Sequence, residues 1–219
     1  ADVLEKAADF DLAVHDLIKE YMTKHQRIIF NGNGYSEEWI KEAERRGLPN
    51  IKSMVEAVES LTTDKAVKLF EKFHIFTKAE LESREEVLYE TYAKTINIEA
   101  LTMIDMASRQ ILPAVVRYTK SLADTVIAVK GAGADASVQA KLLDQVSSGL
   151  AQTKTALEKL QKAVEEAGAM QEGKEQAFFY KNAVCTAMEN LRRPVDGLEM
   201  IVEKEAWPYP TYADLMFEV

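Results

Sequence analysis

Thr95-Ile-Asn-Ile-Glu-Ala-Leu-Thr-Met-Ile-Asp-Met-Ala107 lies inside a longer run, Thr77 to Lys130, that holds no glycine and one proline, Pro113. Ile96, Ala100, Met103 and Ala107 recur at spacings of three and four, which stacks them on one helical face. Ile98, Leu101, Ile104 and Met106 fill the neighbouring faces. So wide an apolar circumference predicts a central helix packed from several sides. The run opens with Thr77-Lys-Ala-Glu80, the pattern of a capping box. Pro113 lacks the N–H that a continuous helix requires, so a kink is expected there. Asn97 and Glu99 sit in this apolar stretch, and burial would oblige them to find hydrogen-bond partners.

Downstream, Leu143, Val146, Leu150, Thr153, Leu157, Leu160 and Val164 follow one another at alternating steps of three and four. That seven-residue repeat is the seam of a coiled-coil-like helix spanning Ser137 to Ala167. A third long helix is read from Lys174 to about Glu205, apolar at Ala177, Tyr180, Val184, Ala187 and Leu191, with Pro194 as a second kink or break. Short glycine-bearing turns at 131–136 and 168–173 make consecutive helices antiparallel.

Upstream, residues from Asp2 to about Ile29 read as helical, with a stripe of Ala7, Phe10, Val14, Leu17 and Tyr21. Asn31-Gly32-Asn33-Gly34-Tyr35 breaks the pattern as a tight turn. Ser36 can cap a helix to Arg46, which Gly47 and Pro49 end. Short helices are expected over 50–61 and 63–73. The fold expected is therefore all-α: a long kinked antiparallel three-helix bundle over 77–205, a smaller helical cap over 1–76, and an apolar tail over 206–219. In that tail Trp207, Tyr209, Tyr212 and Phe217 either dock on the bundle or anchor a partner.

The 219 residues carry a net charge of −9, with basic residues scattered rather than clustered, which argues against nucleic acid and against an anionic membrane surface. No apolar run approaches the ~20 residues of a membrane span, and no signal peptide is evident at Ala1. The missing initiator methionine suggests a piece of a longer chain. A single cysteine, Cys185, excludes an internal disulfide and fits a reducing compartment; its helical setting reads as a small buried hydrophobe.

Chemistry is sparse. Of His15, His25 and His74, His74 carries the Glu-x-x-His step, with Glu71, and His15 has Asp11 four residues before it; one Glu-x-x-His without a second does not make a di-metal site. The Asn-Gly turn lacks the spacing and the Lys-Ser/Thr ending of a phosphate loop. Residues Asn31 to Tyr35 remain a candidate loop contact for a ligand or subunit, with Tyr35 and Trp39 as its exposed aromatics. Glu82, Arg84, Glu85, Glu86 and Glu90 read as a solvated face, with pairing of Arg84 to a buried carboxylate as the alternative. No serine or cysteine triad and no zinc spacing occur. No catalytic, cofactor-binding or metal-binding residue is assigned.

Several strings together carry a resemblance: Arg27-Ile-Ile-Phe-Asn-Gly-Asn-Gly-Tyr-Ser36, Glu42-Ala-Glu-Arg-Arg-Gly-Leu-Pro-Asn50, Leu69-Phe-Glu-Lys72, Ala79-Glu-Leu-Glu-Ser-Arg84, Tyr92 through Ala107, Ile111-Leu-Pro-Ala114 and Trp207-Pro-Tyr-Pro-Thr-Tyr212. In order and phrasing this resembles the C-terminal region of type III glutamine synthetases. The resemblance implies a cytoplasmic parent enzyme that joins ammonia to glutamate using ATP and a divalent metal, Mg or Mn, and that forms a homo-oligomer. It places catalysis in an upstream domain, so this chain alone is expected to be inactive. Its partners would then be that catalytic domain and other subunits. The competing expectation is a stand-alone helical interaction module.

Overall fold

The computed structural model describes residues 2–210 and 212–217, and among them every regular element is helical. The chain divides into two compact units, Ala1–Ser53 and Met54–Val219. The first holds α1 (Asp2–Glu5), α2 (Phe10–Lys24) and α3 (Glu37–Arg45). The second holds α4 (Met54–Val58), α5 (Asp64–Lys72), α6 (Lys78–Met106), α7 (Leu112–Gly131), α8 (Ser137–Gly168), α9 (Lys174–Phe179), α10 (Cys185–Glu199) and α11 (Tyr212–Phe217).

In the first unit the expected single N-terminal helix is split. Asp9 adopts an extended backbone and its carboxylate accepts the Leu12 N–H at 3.0 Å, so it caps α2 and stops α1 short. Ser36 caps α3 by accepting from Trp39 N, and Thr63 caps α5 in the second unit in the same way.

The bundle grows from the capping box at Thr77. Its side chain accepts from Glu80 N at 3.3 Å, while the Glu80 carboxylate accepts from Thr77 N at 2.7 Å. The hydrogen bonds with Thr77 hold the Glu80 carboxyl below its ordinary range. Helix α6 then runs for 29 residues. At Pro113 the chain neither breaks nor continues as plain α-helix. A π turn spans Ala107–Ile111, and Leu112 N–H donates to Ala107 O, five residues back. Proline has no N–H, and its ring crowds the carbonyl four residues earlier. Widening the turn just ahead of it relieves that crowding, and α7 starts with the proline in its first turn. A second π turn, Tyr180–Val184, joins α9 to α10, and no proline accompanies it. Pro194 sits inside α10, which continues past it to Glu199 rather than breaking, and ends short of Glu205.

The second long helix, α8, has 32 residues, about 48 Å at 1.5 Å per residue. Its whole repeat is covered. Val146, Thr153, Leu157 and Leu160 are at most 1% exposed, and Leu143, Leu150 and Val164 are half-buried. Leu157 and Leu160 share a cluster with Ala100, Ala107, Tyr180, Val184 and Leu191. Val146 shares another with Ile111, Val115, Leu122, Leu198 and Trp207. The seam therefore closes within the chain. Each large side chain so buried contributes about 1.5–3 kcal/mol by removal from water. Gly149 marks the tightest approach: a Cβ there would lie 2.8 Å from Leu198 Cδ2. The Thr153 hydroxyl is buried in this seam without a hydrogen-bond partner.

A third cluster joins Val55 and Val58 of α4 to Tyr89 of α6 and Ala177 of α9. The segment from Met54 onward, which the sequence grouped with the cap, thus packs with the bundle. The spine is not packed from all sides. Ala93 and Ala100 are buried, yet Val87, Ile98 and Leu101 are 55%, 65% and 48% exposed. Its helical neighbours, α8, α9–α10 and α4, together cover only one broad face of α6. Glu99 lies on the open side and needs no buried partner, while Asn97 is half-buried.

Three helices end alike. After α3, Leu48 N–H bonds Ala43 O and Gly47 N–H bonds Glu44 O; after α5, Ile75 bonds Phe70 and His74 bonds Glu71; after α7, Ala134 bonds Val129 and Gly133 bonds Lys130. Each is the doubly bonded stop that requires a left-handed residue. Gly47 (φ 68) and Gly133 (φ 76) supply it freely, whereas His74 (φ 53) does so with a side chain. At the next turn, Gln176 Nε2 donates to Ala167 O at 3.0 Å and satisfies the end of α8 from inside the core. We predict that His74→Gly raises stability by about 0.5–1 kcal/mol, the strain relief exceeding the unfolded-state entropy gained. Gly133→Ala should lower it by a similar amount. Urea midpoints at unchanged slope measure both.

Candidate functional site

The Asn-Gly loop is built by its surroundings rather than by left-handed glycines. Neither Gly32 nor Gly34 has positive φ. Gly32 is small for another reason: a Cβ would lie 2.6 Å from Phe30 Cζ, because the Phe30 ring folds over it. That ring stacks on Trp39 with centroids 4.2 Å apart and planes 25° apart, so Trp39 is half-buried rather than exposed as the sequence suggested. Asn33 makes the turn by accepting the Tyr35 N–H on its side-chain oxygen at 3.0 Å and the Ser36 N–H on its backbone oxygen at 3.1 Å.

Arg46 locks this arrangement from the end of α3. Its guanidinium stands 5.6 Å from the Trp39 ring centroid. Nη1 donates to Ile29 O at 2.7 Å and to Gln26 O and Arg27 O at 3.3 and 3.4 Å. Its Nε donates to Glu42. Arg45 grips the same carboxylate with two bonds, of 2.7 and 2.6 Å. Hydrogen bonds from Arg45, and then Arg46, hold the Glu42 carboxyl at about 2 against an ordinary 4.5. The result is a fixed platform displaying Asn31, Gly32, Asn33, Gly34 and Tyr35, all exposed, with Tyr35 98% exposed at the tip.

In the tail, Trp207 is 9% exposed and packs among Ile111, Val115, Leu122, Val146 and Leu198. Tyr209 packs on the same cluster, its hydroxyl buried without a hydrogen-bond partner, and burial and then the Asp105 charge push its phenol pKa up. These two side chains are used by the chain's own core. Phe217 is 77% exposed on α11, which the Lys204–Asp214 pair tethers. The backbone of Tyr212 starts α11, and its side chain lies outside the described residues.

Elsewhere the chemistry is modest. Cys185 is half-buried with its Sγ 3.9 Å from the Tyr92 hydroxyl, and burial pushes the thiol pKa up. A low-reactivity thiol results. His74 serves the helix stop described above, and His15 is exposed beside Asp16. Glu82, Glu85, Glu86 and Glu90 line an open groove with Glu172 from the α8–α9 turn. Among the described residues no three His, Cys, Asp or Glu side chains are arranged to hold a metal ion. No helix among the described residues is long and apolar enough to cross a membrane.

Residues 13–130 match the family model described as the glutamine synthetase C-terminal domain. The chain is 35% identical over 208 residues to a glutamine synthetase of Butyrivibrio fibrisolvens, covering 94% of this chain and 30% of the relative. It is 32% identical to a type-3 glutamine synthetase of Dictyostelium discoideum, over 97% of this chain and 30% of the relative. It is 31% identical to a glutamine synthetase of Bacteroides fragilis strain YCH46, over 98% of this chain and 30% of the relative. The chain thus spans about 30% of the length of the relatives it matches. The braced loop and the spine both fall within the family match.

The brace has a pH signature. Because the folded pKa of Glu42 is depressed, its contribution to stability is complete above about 4.5 and is lost as pH falls through about 2. Carboxyl NMR should place the Glu42 midpoint near 2, and Arg45→Ala should move it up toward the ordinary range. An ordinary midpoint in the unmodified chain would contradict the brace.

Proposed function

Because the chain belongs to the glutamine synthetase C-terminal domain family, we propose that it is the accessory and assembly domain of a type III glutamine synthetase. In this reading the longer protein ligates ammonia to glutamate with ATP and a divalent metal, Mg or Mn, in the cytoplasm. The metal, the nucleotide and the reacting groups belong to its catalytic region, and no step of that chemistry is routed through residues 1–219. This chain contributes a rigid helical body against which the catalytic region and neighbouring subunits of a homo-oligomer are positioned.

The observation that carries the reading is the similarity over 94–98% of this chain to enzymes of which it makes up 30%. The architecture supports it. A bundle that buries its own seam, helices of 29 and 32 residues, and a braced loop with an exposed tyrosine suit a spacer and contact body. Positioning by a rigid body is also how a remote domain affects a rate without touching the reacting atoms.

We predict that the 219-residue chain, given glutamate, ammonia, ATP and Mg, forms no glutamine above background. Protein from the complete reading frame should form it. Turnover by the 219-residue chain alone would overturn the assignment of catalysis to another region.

A further inference from the structure

Helix α2 stands apart from every other long helix of the chain. Its 15 residues include none that is buried. Phe10, Val14, Leu17, Ile18, Tyr21 and Met22 lie on one side of it, at helical spacing. Phe10, Ile18, Tyr21 and Met22 are 60%, 57%, 54% and 54% exposed. A helix of this length is marginal in water by itself, because most helical stability in proteins comes from covering an apolar face. Its Asp9 cap and Lys24–Glu20 pair add only modest support. The face therefore calls for a cover.

We infer that the apolar face of α2 is the seat on which the catalytic region of the longer protein docks. The inference rests on the reading of this chain as one domain of a larger glutamine synthetase. Two observations select this occupant. Each relative is about three times as long as this chain and aligns with nearly all of it, so the relatives carry a large folded region beyond these residues. Asp11 stands on the stripe's own side at its N-terminal end, and the rest of the helix carries Asp16 and Glu20 against Lys19 and Lys24, with Lys24 already paired to Glu20. That balance is unlike the basic flanks of a helix that lies on an anionic bilayer, whereas an apolar protein surface needs no such charge. Unlike Trp207 or the α8 repeat, whose side chains fill this chain's own clusters, the α2 stripe joins none of them: Val14 and Leu17 are half-buried and Phe10, Ile18, Tyr21 and Met22 are open.

Hydrogen exchange on protein from the complete reading frame and on the 219-residue chain tests this directly. Amides of residues 10–24 should exchange at least tenfold more slowly in the longer protein. The double change Ile18→Glu with Met22→Lys removes apolar area yet keeps helix-forming residues in a favourable i,i+4 pair. In the longer protein it should return exchange over 10–24 to within about twofold of the 219-residue chain and leave residues 146–160 unchanged. Equal exchange in the two unmodified proteins, with ligase activity present in the longer one, overturns the docking seat and spares the domain assignment. Protection of 10–24 in the 219-residue chain that grows with concentration makes a second copy the occupant and also overturns the seat. A complete reading frame without ligase activity overturns the domain assignment, and the seat with it.

Discussion

The burial of the α8 repeat between α7 and α10 is the constraint from which the rest of the bundle follows. One helix with a seam of Val146, Leu157 and Leu160 must be met by two others along its length. The chain does this by turning back twice, so α6–α7 and α9–α10 run in the same sense on either side of α8. Each turn is short and held by hydrogen bonds, by the Gly133 stop at one end and by Gln176 reaching Ala167 O at the other. Gly149 fits the same logic. Glycine inside a helix costs about 1 kcal/mol relative to alanine, but here the volume a Cβ needs is filled by Leu198.

Proline placement is resolved by the same need for continuity. A break at Pro113 would split the wall that α6 and α7 offer to α8. The π turn at Ala107–Ile111 keeps both Ala107 and Ile111 in the core, 2% and 5% exposed, while admitting the ring. The bundle is thus a stiff object. The first unit adds a fixed loop, in which Arg46, Trp39 and Phe30 define the position of Tyr35. Ordering a contact loop in advance lowers the entropy cost of binding. Stiffness in both units is what the proposed positioning role requires.

Much of this was legible in the residues. Local signals with one dominant physical cause were readable: the Thr77–Glu80 box, the Ser36 cap, the Gly47 stop and the alternating repeat from Leu143 to Val164. Features decided by neighbours distant in sequence were not. Ile98 and Leu101 look like core by composition, yet a three-helix arrangement leaves them outside. The π turn at Tyr180–Val184 has no proline to announce it. His74 takes a glycine's conformation because the α5 stop demands it, not because its side chain prefers it. At the loop, sequence identified Asn31 to Tyr35 as a turn but not its support, since Arg46 reaches back 17 to 20 residues to carbonyls that carry no side-chain signature. The role of Gly32 was likewise hidden, being set by the Phe30 ring rather than by backbone conformation.

The central claim is that the bundle completes its core within one chain. Hydrogen exchange of residues 146–160 in the 219-residue chain, followed across a hundredfold dilution, tests it most directly. These amides should be among the slowest in the molecule, and their rates should not change with concentration. Rates that rise on dilution would show that the seam is covered by another copy and would contradict the account.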